Sequence, residues 1–269
     1  KSNVLGSSLP LPYFKVISND KDYTISPTLF DSDFFTIQNE YRQANKNSNL
    51  LADFGFVNGY KSSTSKDKNN LSHIFVKYDL DLNLKEFNDS KLELYTEQVS
   101  NDTYLKVFDT YITKSKARPN DLNVLNSQAK LFLNHDIYNF ETGFLSYENL
   151  GETKESDRYQ YILPYYNFDT VLDKNYFNGS IGIESSGSNN LSNTNDLKSN
   201  IINKIQYTSN NYITSLGFEN EANVIFKNLN SLGKKNSEYK SSPQVELLTL
   251  FEANTSFPLI KKNENSTNY

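Results

Sequence analysis

The chain has no cysteine, no methionine and only two histidines. It also has no apolar run approaching the ~18 residues that a transmembrane helix needs. Without thiols there is neither a disulfide framework nor a thiolate metal site. His73 and His135 each fall at the start or end of a strand-like segment with no nucleophile beside them, and read as polar-face or loop histidines. No enzyme, cofactor or metal is predicted. Asp79-Leu80-Asp81-Leu82-Asn83 has the look of a calcium loop, but Leu84 stands at the sixth position, where such a loop needs glycine to turn. Gly179-Ser180-Ile181-Gly182 is too short for a phosphate cradle and reads as a turn or a strand kink. Charge is also undirected: 27 basic against 32 acidic residues give a net charge of -5. The basic ones are scattered apart from pairs such as Lys234-Lys235 and Lys261-Lys262, which leaves no stripe for nucleic acid.

What the chain does have is alternation. From Ile74 to Leu84 every even position is apolar, while Lys77, Asp79, Asp81, Asn83 and Lys85 occupy the other face. This is a strand with one greasy and one wet side. It is longer than the ~5 to 6 residues usual in soluble sheets and matches the ~9 to 11 of a tilted membrane-crossing strand. Composition agrees. The hydrophobic fraction of 36% and mean hydropathy of -0.65 are low for a packed globule, yet aromatics reach 14%, with 19 Tyr and 18 Phe. A barrel wall reconciles these, because only alternate residues meet lipid and tyrosine is favoured at the interfaces.

Similar segments recur between Asn, Asp, Ser, Gly and Lys clusters, the pattern of an antiparallel meander. Strands are predicted over 4–17, 22–30, 34–43, 50–60, 72–85, 90–99, 103–113, 122–134, 136–148, 158–171, 177–185, 200–208, 211–228 and 242–258. The turn at 18–21 is short, whereas 62–70 and the Ser/Asn/Gly-rich 185–200 read as long loops, 185–195 as a mobile one; short turns and long loops belong to opposite rims of a barrel. Leu197, Ile201, Ile202 and Ile205 have helical spacing, so a helix competes there with the strand we favour. Pro10, Pro12 and Pro27 each delete a ladder donor in two consecutive strands. Either they mark a weakly paired seam or they are ordinary strand-end prolines.

At these residues the sequence resembles the LptD (OstA) family of lipopolysaccharide-assembly outer-membrane proteins. Leu5-Gly6-Ser7-Ser8 and Leu11-Pro12-Tyr13-Phe14, then Asp22-Tyr23-Thr24-Ile25-Ser26-Pro27, then Glu40-Tyr41-Arg42 are similar in order and spacing to its early barrel strands. Leu163-Pro164-Tyr165-Tyr166 looks like a family proline in a later strand. The resemblance is specific over residues 1–42 and beyond them is mainly one of strand rhythm. It implies a very large barrel in the outer membrane of a Gram-negative bacterium. A periplasmic domain receives lipopolysaccharide from periplasmic bridge proteins, an LptE-like lipoprotein plugs the lumen, and weakly paired first and last strands form a lateral gate into outer-membrane lipid. By position Pro12 looks like the family's second-strand proline and, with Pro27, would lie near the gate. The family's first strand, its periplasmic domain and the closing strands have no counterpart here, and the cysteines some members use for disulfides are absent.

The expected fold is therefore all-β: an antiparallel up-and-down meander over 1–269, forming the N-terminal portion of a larger transmembrane β-barrel. The opening Lys1-Ser2-Asn3 and the polar alternation of Asn263, Asn265 and Thr267 both read as a piece of a longer protein. Lys77, Asp79, Asp81 and Asn83 are the lumen-facing candidates, and Ile74, Val76, Tyr78, Leu80 and Leu82 the lipid-facing ones. The expected function is assembly of lipopolysaccharide into the outer leaflet. The alternatives are a porin or receptor barrel, or a soluble all-β glycan-binding protein whose apolar faces meet in a dry core.

Overall fold

The computed structural model describes residues 5–61, 69–112, 115–152, 158–192, 195–258, 261–263 and 266–268. The chain enters through β1 (Ser8–Pro10), β2 (Tyr13–Ser18), β3 (Lys21–Phe30), β4 (Phe35–Ala44), β5 (Ser48–Tyr60), β6 (Asn69–Asp81) and β7 (Asp89–Val99). A single helical turn, α1 (Tyr104–Val107), follows. Then come β8 (Val124–Asn134), β9 (Tyr138–Asn149), β10 (Tyr159–Tyr176), β11 (Gly179–Ser192), β12 (Asp196–Ser209), β13 (Tyr212–Ile213), β14 (Glu219–Lys234) and β15 (Gln244–Ser256). These fifteen strands form one antiparallel sheet in sequence order; β1 and β2 lie end to end against β3, and β13 continues the line of β12 along β14. A separate hairpin joins β16 (Lys261–Asn263) to β17 (Ser266–Asn268). The sheet's edges are β1–β2 and β15.

Tight connections fall at one rim. At 177–178 both central residues take positive φ, 52° and 60°, as the hairpin turn matching strand twist requires. The longest connection, 100–123, is at the other rim, but length does not separate the two cleanly: 82–88 is on the first rim and 31–34 on the second. Residues 62–68 and 193–194 lie outside those described, as do the side chains of Asn263, Asn265 and Thr267.

Three expectations are corrected. The strand predicted over 103–113 is instead α1 and its flanking turns, because Tyr104, Phe108 and Ile112 recur every four residues and share one buried face. The mobile loop predicted from Ser185 does not form: Ser185–Ser192 are paired on both sides within β11, from Ser192↔Asp196 through Ser185↔Asn203. Gly179–Gly182 opens that strand and is not a turn. The competing helix near Leu197 is strand β12 throughout.

The insert between β7 and β8 folds back onto one face of the sheet. Its Tyr104, Leu105, Phe108, Ile112 and Ala117 pack with Phe30, Phe34, Val57, Leu71, Phe75 and Leu125, and Tyr60 closes on Phe108 with ring centroids 5.2 Å apart. At the insert's root Asp102 pairs with Arg158, just before β10, and a few residues on Tyr111 meets Phe30 at the end of β3. In a flat sheet, strands β3 and β10 would stand seven spacings, or roughly 34 Å, apart. A short stretch containing a helical turn and a second turn closed from Ile112 N–H to Phe108 C=O cannot bridge that. The sheet therefore curls towards the insert, and the covered face is the concave one.

Candidate functional site

Register fixes which side chains share the concave face. Through the pairings Phe30–Ser8, Thr28–Thr36, Gln38–Gly55, Asp53–Phe75 and Lys77–Tyr95, the residues of each pair point the same way. In β6 the odd positions His73, Phe75, Lys77 and Asp79 face the insert side, and the even positions Ile74, Val76, Tyr78 and Leu80 face the other. Phe75 is 0% exposed and its neighbour Ile74 49%. Asp81 ends the strand and is exposed. Leu82 and Asn83 do not belong to either face: they lie past the strand, where Asn83 adopts φ 51° and its amide donates to the Asp81 carbonyl at 3.0 Å. The predicted strand, 72–85, runs four residues too far because the turn begins after Asp81.

The convex face is an apolar band. Leu9, Leu11, Tyr13 and Ile17 of the edge strands, Leu29, Phe54, Phe56, Ile74, Leu94, Phe144, Ile201, Ile205 and Phe226 are all exposed on it. The sandwich expectation required these residues to meet in a dry core, and they do not. Polar residues on this face bond sideways along the sheet. Tyr23 donates to Asn39, whose amide donates to Phe54 O at 3.2 Å. Tyr166 and Ser185 bond at 3.1 Å, Ser185 donates to Asn203 at 2.8 Å, and Asn203 to Asn228 at 3.1 Å.

Where the insert leaves it open the concave face is mixed: charged and hydroxyl-bearing side chains stand on it, and Phe14, Val16, Leu248 and Leu250 are exposed there. Asp79 accepts from Tyr95 at 2.8 Å, Lys77 lies 5.5 Å over the Tyr95 ring, and Glu141 holds both Tyr165 and Lys130. A cavity of about 1080 Å³ opens here, with Asp22, Arg42, Lys77, Asp79 and Lys116 among its walls. Arg42 is tied to Asp22 at 2.7 Å.

Beneath the insert lies a cluster that sequence reasoning missed. His73 Nε2 meets Asp53 Oδ1 at 3.1 Å and its Nδ1 meets Tyr104 Oη at 2.8 Å, all with buried side chains. Gln38 and His73 crowd Gly55, where a Cβ would come within 2.5 Å of each. Burial pushes the Tyr104 hydroxyl up to about 12, so it stays protonated beside the His73 ring. At the insert's root the buried Arg158 guanidinium holds Asp102 at 2.7 Å and Glu148 at 2.6 Å. Its pKa is raised, mainly by the hydrogen bond to Asp102. No group of three or more metal-ligating side chains occurs among the described residues.

The third element is the β1–β2 edge. Leu11 N donates to Pro27 O at 2.8 Å, so the odd residues of this edge aim their backbone groups at β3 and the even ones aim them away. Pro10 and Pro12 therefore remove two donors from the free rim of the sheet. Pro27 removes the reciprocal bond to Leu11 within it. Pro164 coincides with the register slip between Ile162 and Tyr165 in β10.

A scan of the chain against protein-family models finds no match, and a search of curated proteins finds none either.

Proposed function

We propose that this chain is part of the wall of an outer-membrane β-barrel of the LptD type, which delivers lipopolysaccharide to the outer leaflet through a gate beside the β1–β2 edge. The observation that carries the reading is the direction of the prolines. Pro10 and Pro12 delete donors on the side where the next strand would pair, so that junction is weaker than any other by about 0.5 to 1.5 kcal/mol per missing bond. The exposed apolar band supports contact with lipid. In this reading Ile74, Val76, Tyr78 and Leu80 touch lipid, while Lys77, Asp79 and Asp81 line a wet lumen. An LptE-like lipoprotein and periplasmic bridge proteins would be the partners.

The test is Pro12→Ala in the full-length protein. It restores a donor at the junction, so lipopolysaccharide should reach the surface more slowly and cells should become sensitive to large hydrophobic antibiotics. Pro27→Ala, which acts one ladder further in, should do less. Unchanged transport by a normally inserted Pro12→Ala protein refutes the gate. The insert folded against the concave wall favours a second reading, a solute pore with a constriction. Steady conductance in planar bilayers without any lipopolysaccharide phenotype would select it.

A further inference from the structure

We propose that residues 101–112 are a displaceable plug of the concave face, latched closed by the hydrogen bond between Tyr104 and His73.

The wall beneath the plug is mixed: buried polar side chains lie among its apolar ones. Thr36 and Gln38 of β4, Asp53 of β5 and His73 of β6 are at most 2% exposed. Yet they stand on the face that elsewhere carries Arg42, Lys77 and Glu141 to water. Their strands alternate as a wet wall would, and the insert dries that wall locally.

The drying is incomplete in its hydrogen bonding. Among the described residues five buried side-chain atoms lack a partner: Thr36 Oγ1, Gln38 Nε2, Gln38 Oε1, Asp53 Oδ2 and Asn126 Oδ1. Four of the five lie on β4 and β5 under the insert. Water admitted by lifting the insert would satisfy all four, which offsets part of the cost of exposing the apolar packing.

Closure rests on two things. One is the apolar packing of Tyr104, Leu105, Phe108 and Ile112. The other is the hydrogen bond between the Tyr104 hydroxyl and His73, whose ring Asp53 contacts from behind. The root is held separately, by Arg158 on Asp102, and Arg118 ties Asp109 within the insert. The segment can therefore swing about its root as a unit. Once lifted, it uncovers Thr36, Gln38, Asp53 and His73 together with the apolar side chains Phe30, Val57, Leu71 and Phe75. This does not rest on the identity of the cargo.

This chain holds no cysteine, and any cysteine elsewhere in the full-length protein is replaced by serine before the test. Thr36→Cys places one thiol of similar size under the plug in the full-length protein, folded into phospholipid vesicles. Its modification by a polar maleimide should be slow, and adding Tyr104→Phe should speed it about tenfold, the factor equivalent to ~1.4 kcal/mol. A reference thiol, Ser231→Cys, is buried in β14 away from the insert and should be unaffected. Rapid labelling of Thr36→Cys alone overturns the proposal, because the site is then not covered. So does a rate that Tyr104→Phe leaves unchanged. Equal acceleration at Ser231→Cys also overturns it, since it would mean general loosening.

Discussion

The proposed lipid contact of the convex face makes a depth-dependent prediction for β6. The middle residue of this thirteen-residue strand is Phe75. At ~3.4 Å per residue and a tilt of roughly 40°, Ile74 lies about 3 Å from the mid-plane and Leu80 about 13 Å from it. The apolar band of such a barrel is ~25 Å tall, so Leu80 sits at its border. Ile74→Arg should therefore cost roughly 2 to 4 kcal/mol, and Leu80→Arg roughly 0 to 1 kcal/mol. Gln128→Arg, at mid-strand on the concave face opposite Tyr95, should cost little. Reversible urea titrations of the full-length protein in lipid vesicles measure all three. Equal costs for Ile74→Arg and Leu80→Arg, or a cost for Gln128→Arg as large as that for Ile74→Arg, would refute lipid burial of this face.

Two further outcomes follow from local geometry. Arg158→Met leaves Asp102 and Glu148 facing each other without their cation. Both carboxylates keep some water contact, so the loss should be about 1 to 3 kcal/mol, read as a lower thermal midpoint and faster proteolysis within the insert. Gly143→Ala would put a Cβ 2.4 Å from the Ala129 carbonyl and force β8 and β9 apart, at a cost of about 1 to 3 kcal/mol, whereas Gly182→Ala meets nothing nearer than 4.0 Å and should be neutral or stabilising by up to about 1 kcal/mol. Comparing their unfolding midpoints checks both.

The meander was legible because alternation is a local property: each strand's wet and greasy positions are written in its own residues. The polar edge of β11 was not. Gly187-Ser188-Asn189-Asn190 has the composition of a loop, and it is a strand only because β10 and β12 supply partners on both sides. The insert was misread for a different reason. Tyr104, Phe108 and Ile112 carry a period of four that was available in the sequence, but the neighbouring strands made a fourteenth strand the natural expectation. His73 was noticed as a residue, and its burial was not, because what covers it is thirty residues away. Pro12 and Pro27 were recognised as donors lost; the direction of each loss needed the register.

The sheet's order has a consequence in time. From β3 to β12 each strand lies against its neighbours in the chain, so no piece of this wall waits for a distant partner, and the sheet can be laid down in the order in which the residues arrive. The insert alone breaks this rule. Its contacts run back to Phe30 and forward to Arg158, so its seat is unfinished until eight consecutive strands, β3 to β10, stand beside one another. The segment that fills the concavity is thus the last part of this region to set, after the wall around it has closed to its final curvature.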